Sequence, residues 1–509
     1  MSDSLGLQRT ARRPGILLAI AALALAGGGS GARPEGEAHG APSASATASA
    51  RPSASASVAP PEPGWADAYA GTAARILESA RADSGAFEKL RYLTDHIGNR
   101  LSGSPALDRA TKWAAETMTA DGHENVRREK VMVPHWERGE ESAVVTLPER
   151  RNLVMLGLGG SVGTPKEGIE GDVVVVHDFD ELDRRADEVK DHIVLYDVAM
   201  PAFDHEKGSG YGDVVKYRTQ GASRAANHGA RAALVRSVTA RSLRTPHTGA
   251  MRYDEKLPKI PIAAVTVEDA TWITRLVAGG ETVHLKLTMG ARTLPDAESA
   301  NVVGELVGSE LPKEIVVIGG HIDSWDVGQG AHDDGAGCVM MMQALTTLRR
   351  LGLTPRRTIR VVLFTNEENG LKGGTAYDEA HGGEVHVAAL EADSGGFAPR
   401  GLFVEAPKPA LDRVLARVNS VAALLAPVGD PTSGVRVKAE FSGADLIPLV
   451  KRGFVGIGLE TDGELYFDYH HSQADTLDKV DPKSLADDVA AAAITAFVLA
   501  DHPGTLVDP

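Results

Sequence analysis

The chain has 509 residues, 43% of them hydrophobic, and a formal net charge of −16. Its length predicts one or two domains plus tails, and its apolar content is sufficient for a substantial core. The acidic balance argues against a nucleic-acid-binding surface, which needs clustered basic residues. The single cysteine, Cys338, excludes an intramolecular disulfide, and its apolar surroundings predict burial in a helix.

Residues 1–32 have the features of a signal peptide. Several arginines precede the apolar run 16–26, which is too short for a membrane span of about 20 residues, and small residues follow it. We expect export to the periplasm or the extracellular medium, and no stable membrane span after processing; an uncleaved anchor is the alternative. Residues 33–63 are rich in Ala, Ser and Pro, which predicts a disordered linker.

The next two segments differ in their patterns. Residues 64–136 show helical spacing of apolar residues at 85–97 and 107–118, and are predicted to form the N-terminal part of the main domain. Residues 137–293 alternate short β-branched runs with turns, which predicts a β-rich inserted domain. Its candidate strands are 143–147, 172–176, 192–196, 232–235, 260–265 and 283–287.

Residues 294–509 are predicted to form the main part of the domain. Their apolar runs are mostly continuous, which is typical of strands buried on both faces of a largely parallel sheet. These strands are predicted at 315–318, 358–364, 385–390 and 454–459, and helices at 336–350, 410–425 and 482–500. Asp481 is a candidate N-cap of the last helix. The sequence thus predicts an α/β fold, with a mostly parallel mixed sheet between layers of helices.

Five residues of this last segment have metal-binding side chains: His321, Asp333, Glu368, Asp393 and His471. Three of them closely follow the first three predicted strands of the sheet. Because ligands of open α/β sheets bind at the carboxyl ends of the strands, we expect these groups to meet at one edge. Histidine nitrogen and carboxylate oxygen suit zinc, although other divalent metals could substitute.

The same five residues suit two metal ions better than one. One ion would be bound by His321 and Asp393 and the other by Glu368 and His471, with Asp333 bridging both. Two divalent cations would be balanced by three carboxylates and one hydroxide, whereas three buried carboxylates without metal would repel each other.

Glu367 precedes a predicted ligand without needing to be one. A carboxylate beside metal-activated water can accept its proton and pass it to the leaving amine, so we assign Glu367 the role of general base. Asp323 and Asp475 follow His321 and His471 closely, and either could accept the second N–H of a ligand histidine; simple turn formation is the alternative.

Four stretches resemble the carboxypeptidase Q-like (plasma glutamate carboxypeptidase-like) metallopeptidases, within the wider group of co-catalytic zinc aminopeptidases. They read GGHIDSWDVGQGAHDDGAG at 319–337, TNEENGLKGG at 365–374, EADSGG at 391–396 and YHHSQADT at 469–476. The helical segment IGNRLSGSPALDRATKWAAE at 97–116 is similar as well. The resemblance covers essentially everything after residue 82.

The resemblance implies a di-zinc exopeptidase with the ligand roles given above. It implies that Asp323 supports catalysis from behind His321, and that the peptide bond between Asp333 and Asp334 is cis. It also favours His471 over His470 as the ligand, because His471 has the family's spacing to the following aspartate.

Further expectations follow from the same resemblance. The inserted segment 137–293 is similar to a protease-associated domain near the cleft, for which we predict no catalytic role. His332 departs from the family pattern, which has a small or apolar residue before the bridging aspartate; we expect it to face outward rather than to line the pocket. Asp445 falls where the related chains have a pocket loop; its role is left open, with bracing of that loop as the simple alternative to a role in the pocket.

A secreted metallo-exopeptidase acting on short peptides is the leading hypothesis. The alternatives are an inactive binding protein on the same scaffold and a single-zinc acyltransferase similar to glutaminyl cyclases. A homodimer is compatible with the resemblance. The sequence leaves open whether the enzyme acts as a dipeptidase, an aminopeptidase or a carboxypeptidase.

Overall fold

The computed structural model describes residues 60–205, 207–428 and 434–508. The predicted signal peptide and most of the predicted linker lie outside the described residues. The strands are β1 Glu124–Glu137, β2 Glu141–Leu147, β3 Arg151–Leu153, β4 Met155–Gly157, β5 Ile169–Val176, β6 Ile193–Tyr196, β7 Ala232–Arg236, β8 Ile262–Val265, β9 His284–Met289, β10 Arg292–Leu306, β11 Leu311–His321, β12 Arg357–Phe364, β13 Val385–Glu391, β14 Pro399–Glu405, β15 Arg436–Lys438 and β16 Gly456–Thr461.

The helices precede, separate and follow these strands along the chain. They are α1 Ala70–Arg81, α2 Gly85–Tyr92, α3 Pro105–Ala120, α4 Phe179–Arg184, α5 Ala186–Val189, α6 Tyr211–Asn227, α7 Val267–Ala278, α8 Ala336–Arg350, α9 Lys372–His381, α10 Leu411–Leu424, α11 Ile447–Lys451, α12 Tyr466–Tyr469 and α13 Pro482–Asp501. Single π-helical turns occur at Leu93–Ile97 and Ala331–Gly335.

The first sheet has the strand order β1-β10-β12-β11-β13-β16-β14-β15. Its four central strands, β12, β11, β13 and β16, run parallel to one another. Antiparallel pairs flank them on both sides, where β10 meets β12 and β14 meets β16. The predicted mixed sheet with a parallel centre is therefore confirmed.

Helices cover both faces of this sheet. Helices α8 and α13 bury nearly all their side chains in a core that also includes α1, α2 and α10. On the opposite face, Tyr377 of α9 and Leu449 of α11 pack against alternate residues of the same strands. All eight residues of β12 are consequently buried, which explains its uninterrupted apolar run.

A second sheet is formed by the strands between β2 and β9, in the order β3-β2-β9-β5-β6-β7-β8-β4. Its apolar residues alternate between two cores, one shared with α6 and the other with α7. The β-branched runs of this segment predict its strands but not these two helices. The limits 137–293 and the similarity to a protease-associated domain remain predictions.

Several local predictions agree with the structure. Asp481 caps α13 by accepting hydrogen bonds from the backbone N–H groups of Lys483 and Ser484. Cys338 is buried in α8, as expected. Within the described ranges, none of the helices is both long and apolar enough to cross a membrane.

Candidate active site

The carboxyl ends of the parallel strands bring the predicted site residues to one edge of the first sheet. His321 is the last residue of β11, and Asp393 comes two residues after the end of β13. Glu367 and Glu368 lie in the turn that follows β12. Since β11 pairs in parallel with both β12 and β13, the expected convergence of three strand ends is confirmed.

Asp333 lies in the π-helical turn Ala331–Gly335, immediately before α8, and is buried. The Asp475 carboxylate accepts hydrogen bonds from the backbone N–H groups of Ala331, His332 and Asp333, at 3.1, 2.8 and 3.3 Å. These bonds hold the backbone of the turn and fix the position of the Asp333 side chain.

Asp334 connects this turn to the end of β11. The peptide bond between Asp333 and Asp334 is cis, as predicted. The Asp334 carboxylate accepts hydrogen bonds from the backbone N–H of His321 at 2.9 Å and from that of Gly337 at 3.1 Å. Asp334 thus braces the strand end that carries His321.

His471 follows α12 in a left-handed backbone conformation, with φ of 59°, which is uncommon for a residue other than glycine. A segment of the second-sheet region holds it there. The backbone N–H of Thr248 donates to the His471 carbonyl at 2.9 Å, and His247 Nδ1 donates to the His470 carbonyl at 2.7 Å. The Trp325 ring lies edge-on to the His471 ring, with centroids 5.6 Å apart.

The side-chain atoms of the five residues form two groups that share Asp333. His321 Nε2 lies 3.2 Å from Asp333 Oδ1 and 3.0 Å from Asp393 Oδ1. His471 Nε2 lies 3.3 Å from Asp333 Oδ2 and 3.1 Å from Glu368 Oε2. Each oxygen of the Asp333 carboxylate therefore faces a different histidine.

These separations fit metal coordination. In a tetrahedral site with bonds of about 2.0–2.1 Å, neighbouring ligand atoms lie roughly 3.3 Å apart. The other oxygen of Glu368, Oε1, is buried without a hydrogen-bond partner among the described residues. Both groups of atoms could hold a divalent cation.

The ligand tautomer at His321 is also suitable. His321 Nδ1 lies 3.1 Å from the backbone carbonyl of Asp323, which can only accept a hydrogen bond. Nδ1 therefore carries a proton, and Nε2 could give up its own proton and offer its lone pair to a bound cation.

Burial and crowding of charge perturb the acids. Burial alone would raise the pKa of Asp333, but hydrogen bonds from His321 and His471 outweigh it and hold the pKa well below its usual range. Burial, followed by repulsion from Asp333, raises the pKa of Glu368 well above its ordinary value. A bound cation would replace this repulsion with attraction.

Glu367 lies beside the two groups and lines the cleft. Its backbone N–H donates a 3.0 Å hydrogen bond to the buried Asp323 carboxylate, whose other oxygen accepts from Ser102 Oγ at 3.3 Å. Burial raises the pKa of Glu367 well above its usual value. Attraction to His321 opposes this shift, and repulsion by Asp393 adds to it. The side chain could exchange a proton with a group bound in the cleft.

The expected contact between His321 and Asp323 is present, but the His321 N–H goes to the Asp323 backbone carbonyl and not to its carboxylate. Two other expectations are wrong. Asp475 contacts the backbone of the turn at Ala331 and not His471. His332 does not face outward: it is fully buried, stacks on Phe397 with ring centroids 4.0 Å apart, and hydrogen-bonds to the Gly395 carbonyl. An aromatic contact outweighs hydration for a neutral imidazole at this position.

Asp445 lies deeper in the protein than expected for a residue that only stabilises a surface loop. It is buried, and its carboxyl oxygens have no hydrogen-bond partner among the described residues. Only its backbone N–H contributes to the loop, as one of three that point to the Glu391 carboxylate. Burial and then repulsion by Glu391 raise the pKa of Asp445 well above its ordinary value, which favours the neutral acid.

The groups open into a cleft of about 370 Å³. Aromatic side chains form much of its walls, with Phe203 and Tyr211 from the second-sheet region and Phe403, Phe441 and Phe467 from the first-sheet region. Arg218, on α6, also lines the cleft. The sequence gives no sign of this position, because a single basic residue in a helix far from the metal-binding motifs is usually on the surface.

Comparisons with known proteins agree with this geometry. Residues 301–496 match the model of peptidase family M28. The chain is 42% identical over 417 residues to carboxypeptidase Q of Mus musculus, covering 82% of this chain and 85% of the relative. The aligned region extends well beyond the residues of the site.

Solved structures show the same fold. The peptidase M28 precursor from Shewanella amazonensis has 34% identity and a TM-score of 0.81, covering 87% of this chain and 99% of that one. An aminopeptidase from Aneurinibacillus sp. strain AM-1 has 18% identity and a TM-score of 0.59, covering 86% of this chain and 98% of that one, which supports the fold alone. The chain therefore belongs to the carboxypeptidase Q group of peptidase family M28 and is a metallopeptidase.

Proposed function

We propose that this protein is a secreted exopeptidase that uses two zinc ions to hydrolyse dipeptides or to remove terminal residues from short peptides. The observation that carries the proposal is the two-sided position of Asp333. Its Oδ1 lies 3.2 Å from His321 Nε2, and its Oδ2 lies 3.3 Å from His471 Nε2. A carboxylate placed in this way is suited to bridge two cations.

The residues present fit this metal pair. His321 and Asp393 would hold one ion, Glu368 and His471 the other, and Asp333 both. The unpartnered Oε1 of Glu368 supports the assignment, since a buried carboxylate oxygen without a donor is costly unless a cation approaches it. His471 is the better second ligand, because His470 Nε2 lies 3.9 Å from Asp333 while His471 contacts both Asp333 and Glu368.

Zinc in such a site polarises the scissile carbonyl and lowers the pKa of water to about 7. Glu367 would take a proton from the attacking water and deliver it to the nitrogen of the leaving amine. The new carbon–oxygen bond replaces the carbon–nitrogen bond, so the products are a free carboxylate and a free amine. The hydrogen bond between the Glu367 N–H and Asp323 keeps this turn in position for both transfers.

The two alternative functions have weaker support. An inactive binding protein would not need all five metal-binding side chains arranged in two groups. A single-zinc acyltransferase would need only one of the two histidines that face the Asp333 carboxylate. Homodimer formation and the limits of the inserted segment stay predictions.

Export is the second element of the proposal and rests on residues 1–32. N-terminal sequencing of the protein recovered from the periplasm or culture medium tests it. We expect the mature chain to begin after residue 26 or 32. Recovery of the intact N-terminus in the cytosol alone would contradict export.

The metal-dependent activity can be tested with the purified protein and the dipeptide Phe-Leu. We expect hydrolysis to stop after treatment with a chelator and to return as zinc is added, with activity rising until two equivalents per chain are bound. Saturation at one equivalent would contradict the two-metal proposal. Hydrolysis that is insensitive to the chelator would contradict metal-dependent catalysis altogether.

A further inference from the structure

Arg100 is a fully buried arginine near the segments that carry His321 and Asp333. Within the described part of the chain, no carboxylate forms an ion pair with it. Its side-chain nitrogens donate instead to four backbone carbonyls: Nε to Ile322 at 2.8 Å, Nη1 to Gly98 at 3.1 Å and to Gln329 at 2.8 Å, and Nη2 to Gly330 at 3.1 Å. Because removing a guanidinium from water is costly, each of these nitrogens requires an acceptor.

Three of these four carbonyls belong to one loop, residues 322–330, which connects β11 to the π-helical turn Ala331–Gly335. The loop begins directly after the proposed ligand His321, and it ends three residues before the proposed bridging ligand Asp333. The guanidinium therefore ties the two ends of the loop together. Since each end continues into a proposed ligand, this contact constrains how His321 Nε2 and Asp333 Oδ1, 3.2 Å apart, are placed.

The loop and the segment of Arg100 fit closely against each other. The backbone N–H of Arg100 donates to Ser324 Oγ at 3.0 Å, and the backbone N–H of Ser324 donates to the Arg100 carbonyl at 3.4 Å. Gly330 has a φ of +60°, and a Cβ at this position would lie 2.4 Å from Cβ of Ser324 and 2.9 Å from Nη2 of Arg100. The absence of a side chain at residue 330 therefore gives the guanidinium access to the loop backbone.

The charge of Arg100 also acts on buried acids around the site. Burial lowers the pKa of Arg100, and attraction to Asp475, Asp323 and Asp334 opposes that shift. Each of these three buried aspartates accepts a backbone hydrogen bond from a segment that carries a proposed site residue. A cation among them offsets part of their mutual repulsion.

We propose that Arg100 is a positioning residue for the metal pair. Through the loop 322–330, its guanidinium places His321 and Asp333 relative to each other and thereby sets the affinity for the cation that they share. The inference rests on the proposed function. Arg100 donates to none of the five proposed ligand side chains, so it acts through the backbone.

The test uses two substitutions that remove different properties of the side chain. Arg100→Lys keeps the charge but offers one nitrogen in place of a planar fork, so it cannot reach the carbonyls at both ends of the loop. Arg100→Gln loses the charge and keeps one amide donor. The control is Arg360→Lys, because Arg360 is also buried but pairs with Glu305 and Glu384 and makes no hydrogen bond to the loop.

Two measurements that do not depend on activity separate positioning from general stability. Amide hydrogen exchange of the full-length, metal-free protein should be about 10-fold faster over residues 322–335 in both Arg100 variants, and unchanged there in Arg360→Lys. Zinc titration should show one equivalent bound about 10- to 100-fold more weakly in both Arg100 variants. Arg360→Lys should bind two equivalents as wild type does, even where its melting temperature falls as far as that of Arg100→Lys.

A milder substitution keeps the test decisive if both Arg100 variants unfold. Ser324→Ala removes only the hydroxyl that accepts from the Arg100 backbone, and should weaken one zinc equivalent by about 3- to 10-fold. Unchanged zinc affinity in every variant that folds would overturn the inference, and so would an equal loss in Arg360→Lys. Failure of the proposed function has a different signature, because it is seen in the wild type as saturation at one equivalent of zinc or as hydrolysis that a chelator does not affect.

Discussion

The backbone N–H of Glu367 donates a hydrogen bond to the carboxylate of Asp323, two residues beyond the end of the neighbouring parallel strand. This bond ties the turn after β12 to the end of β11, so the proposed base and the proposed ligand His321 move as one unit. It leaves the Glu367 side chain itself free to face the cleft.

Glu367→Gln is expected to abolish most turnover while keeping the metals. The amide has nearly the same shape but cannot accept the proton, so kcat should fall by about 100- to 10,000-fold. Zinc content, measured by elemental analysis, should match wild type. Glu379→Gln, on the exposed surface of α9, is the control and should keep full activity. Hydrolysis of Phe-Leu at the wild-type rate by Glu367→Gln would refute the general-base role.

Glu368→Ala is expected to weaken one metal site and to spare the other. Glu368 Oε2 lies 3.1 Å from His471 Nε2, whereas the His321 group does not include it in the proposed assignment. Titration with zinc should therefore show one equivalent bound at wild-type affinity and a second bound much more weakly. Two equivalents at unchanged affinity would remove Glu368 from the ligand set.

His247→Leu is expected to lower the affinity for the same second metal without touching any ligand. His247 is 1% exposed and holds the His470 carbonyl, next to the strained backbone of His471. Loss of a group that orients a ligand typically weakens metal binding by about 10- to 100-fold. His247→Asn keeps a donor near the same place and should recover part of the affinity. Equal zinc affinity in wild type and both variants would show that the bond is dispensable.

Packing between the two sheet regions can be tested at Gly159. A Cβ there would overlap the ring of Trp325, which is 2% exposed. Gly159→Ala should destabilise the protein by about 1–3 kcal/mol, as overpacking usually does. In Gly71→Ala, on the open side of α1, nothing obstructs the new methyl group, and a gain of about 0.4–1 kcal/mol is expected. Chemical denaturation measures both changes, and a stabilised Gly159→Ala would contradict the observed contact.

His123 is expected to contribute to acid destabilisation. Burial lowers its pKa from 6.5 to about 4, and its Nε2 lies 3.0 Å from Thr346 Oγ1. Between pH 6.5 and 4 the unfolded chain binds a proton that the folded chain excludes, so the free energy of unfolding falls as the pH is lowered. One such group accounts for about 1.4 kcal/mol per pH unit, or roughly 3 kcal/mol over the window.

His123→Gln removes this titration. Its free energy of unfolding should therefore fall less steeply between pH 6.5 and 4, while both proteins follow the same slope above pH 7. Denaturant titrations at several pH values measure the difference. Parallel curves for wild type and His123→Gln across the whole range would show that His123 is protonated equally in both states.

The strands of the first sheet could be predicted because continuous apolar runs mark them in the sequence. Burial on both faces leaves β12 with eight consecutive buried residues, and the same cause produced the apolar runs that predicted its neighbours. Strand ends then located His321, Glu367, Glu368 and Asp393, since polar residues directly after a buried run must emerge at the sheet edge.

Other features depend on contacts between distant segments. Helix α6 buries Arg218, Thr219 and Ser223 beside its apolar residues, so its pattern is not the simple amphipathic one. His332 is buried against Phe397, a ring that lies 65 residues later in the chain. Asp475 was expected beside a histidine but binds the turn at Ala331. No spacing rule connects such residues before the chain is folded.

The hydrogen bonds that the Thr248 backbone N–H and the His247 side chain donate to the His470–His471 backbone limit how the chain can be divided into active fragments. A fragment consisting of residues 294–509 would contain all five proposed ligands and the proposed base, yet it would lack the segment that holds His471 in its unusual conformation. It would also lack Arg100. We therefore expect that fragment to be inactive when produced alone, and to regain activity only by association with the separately supplied remainder of the chain.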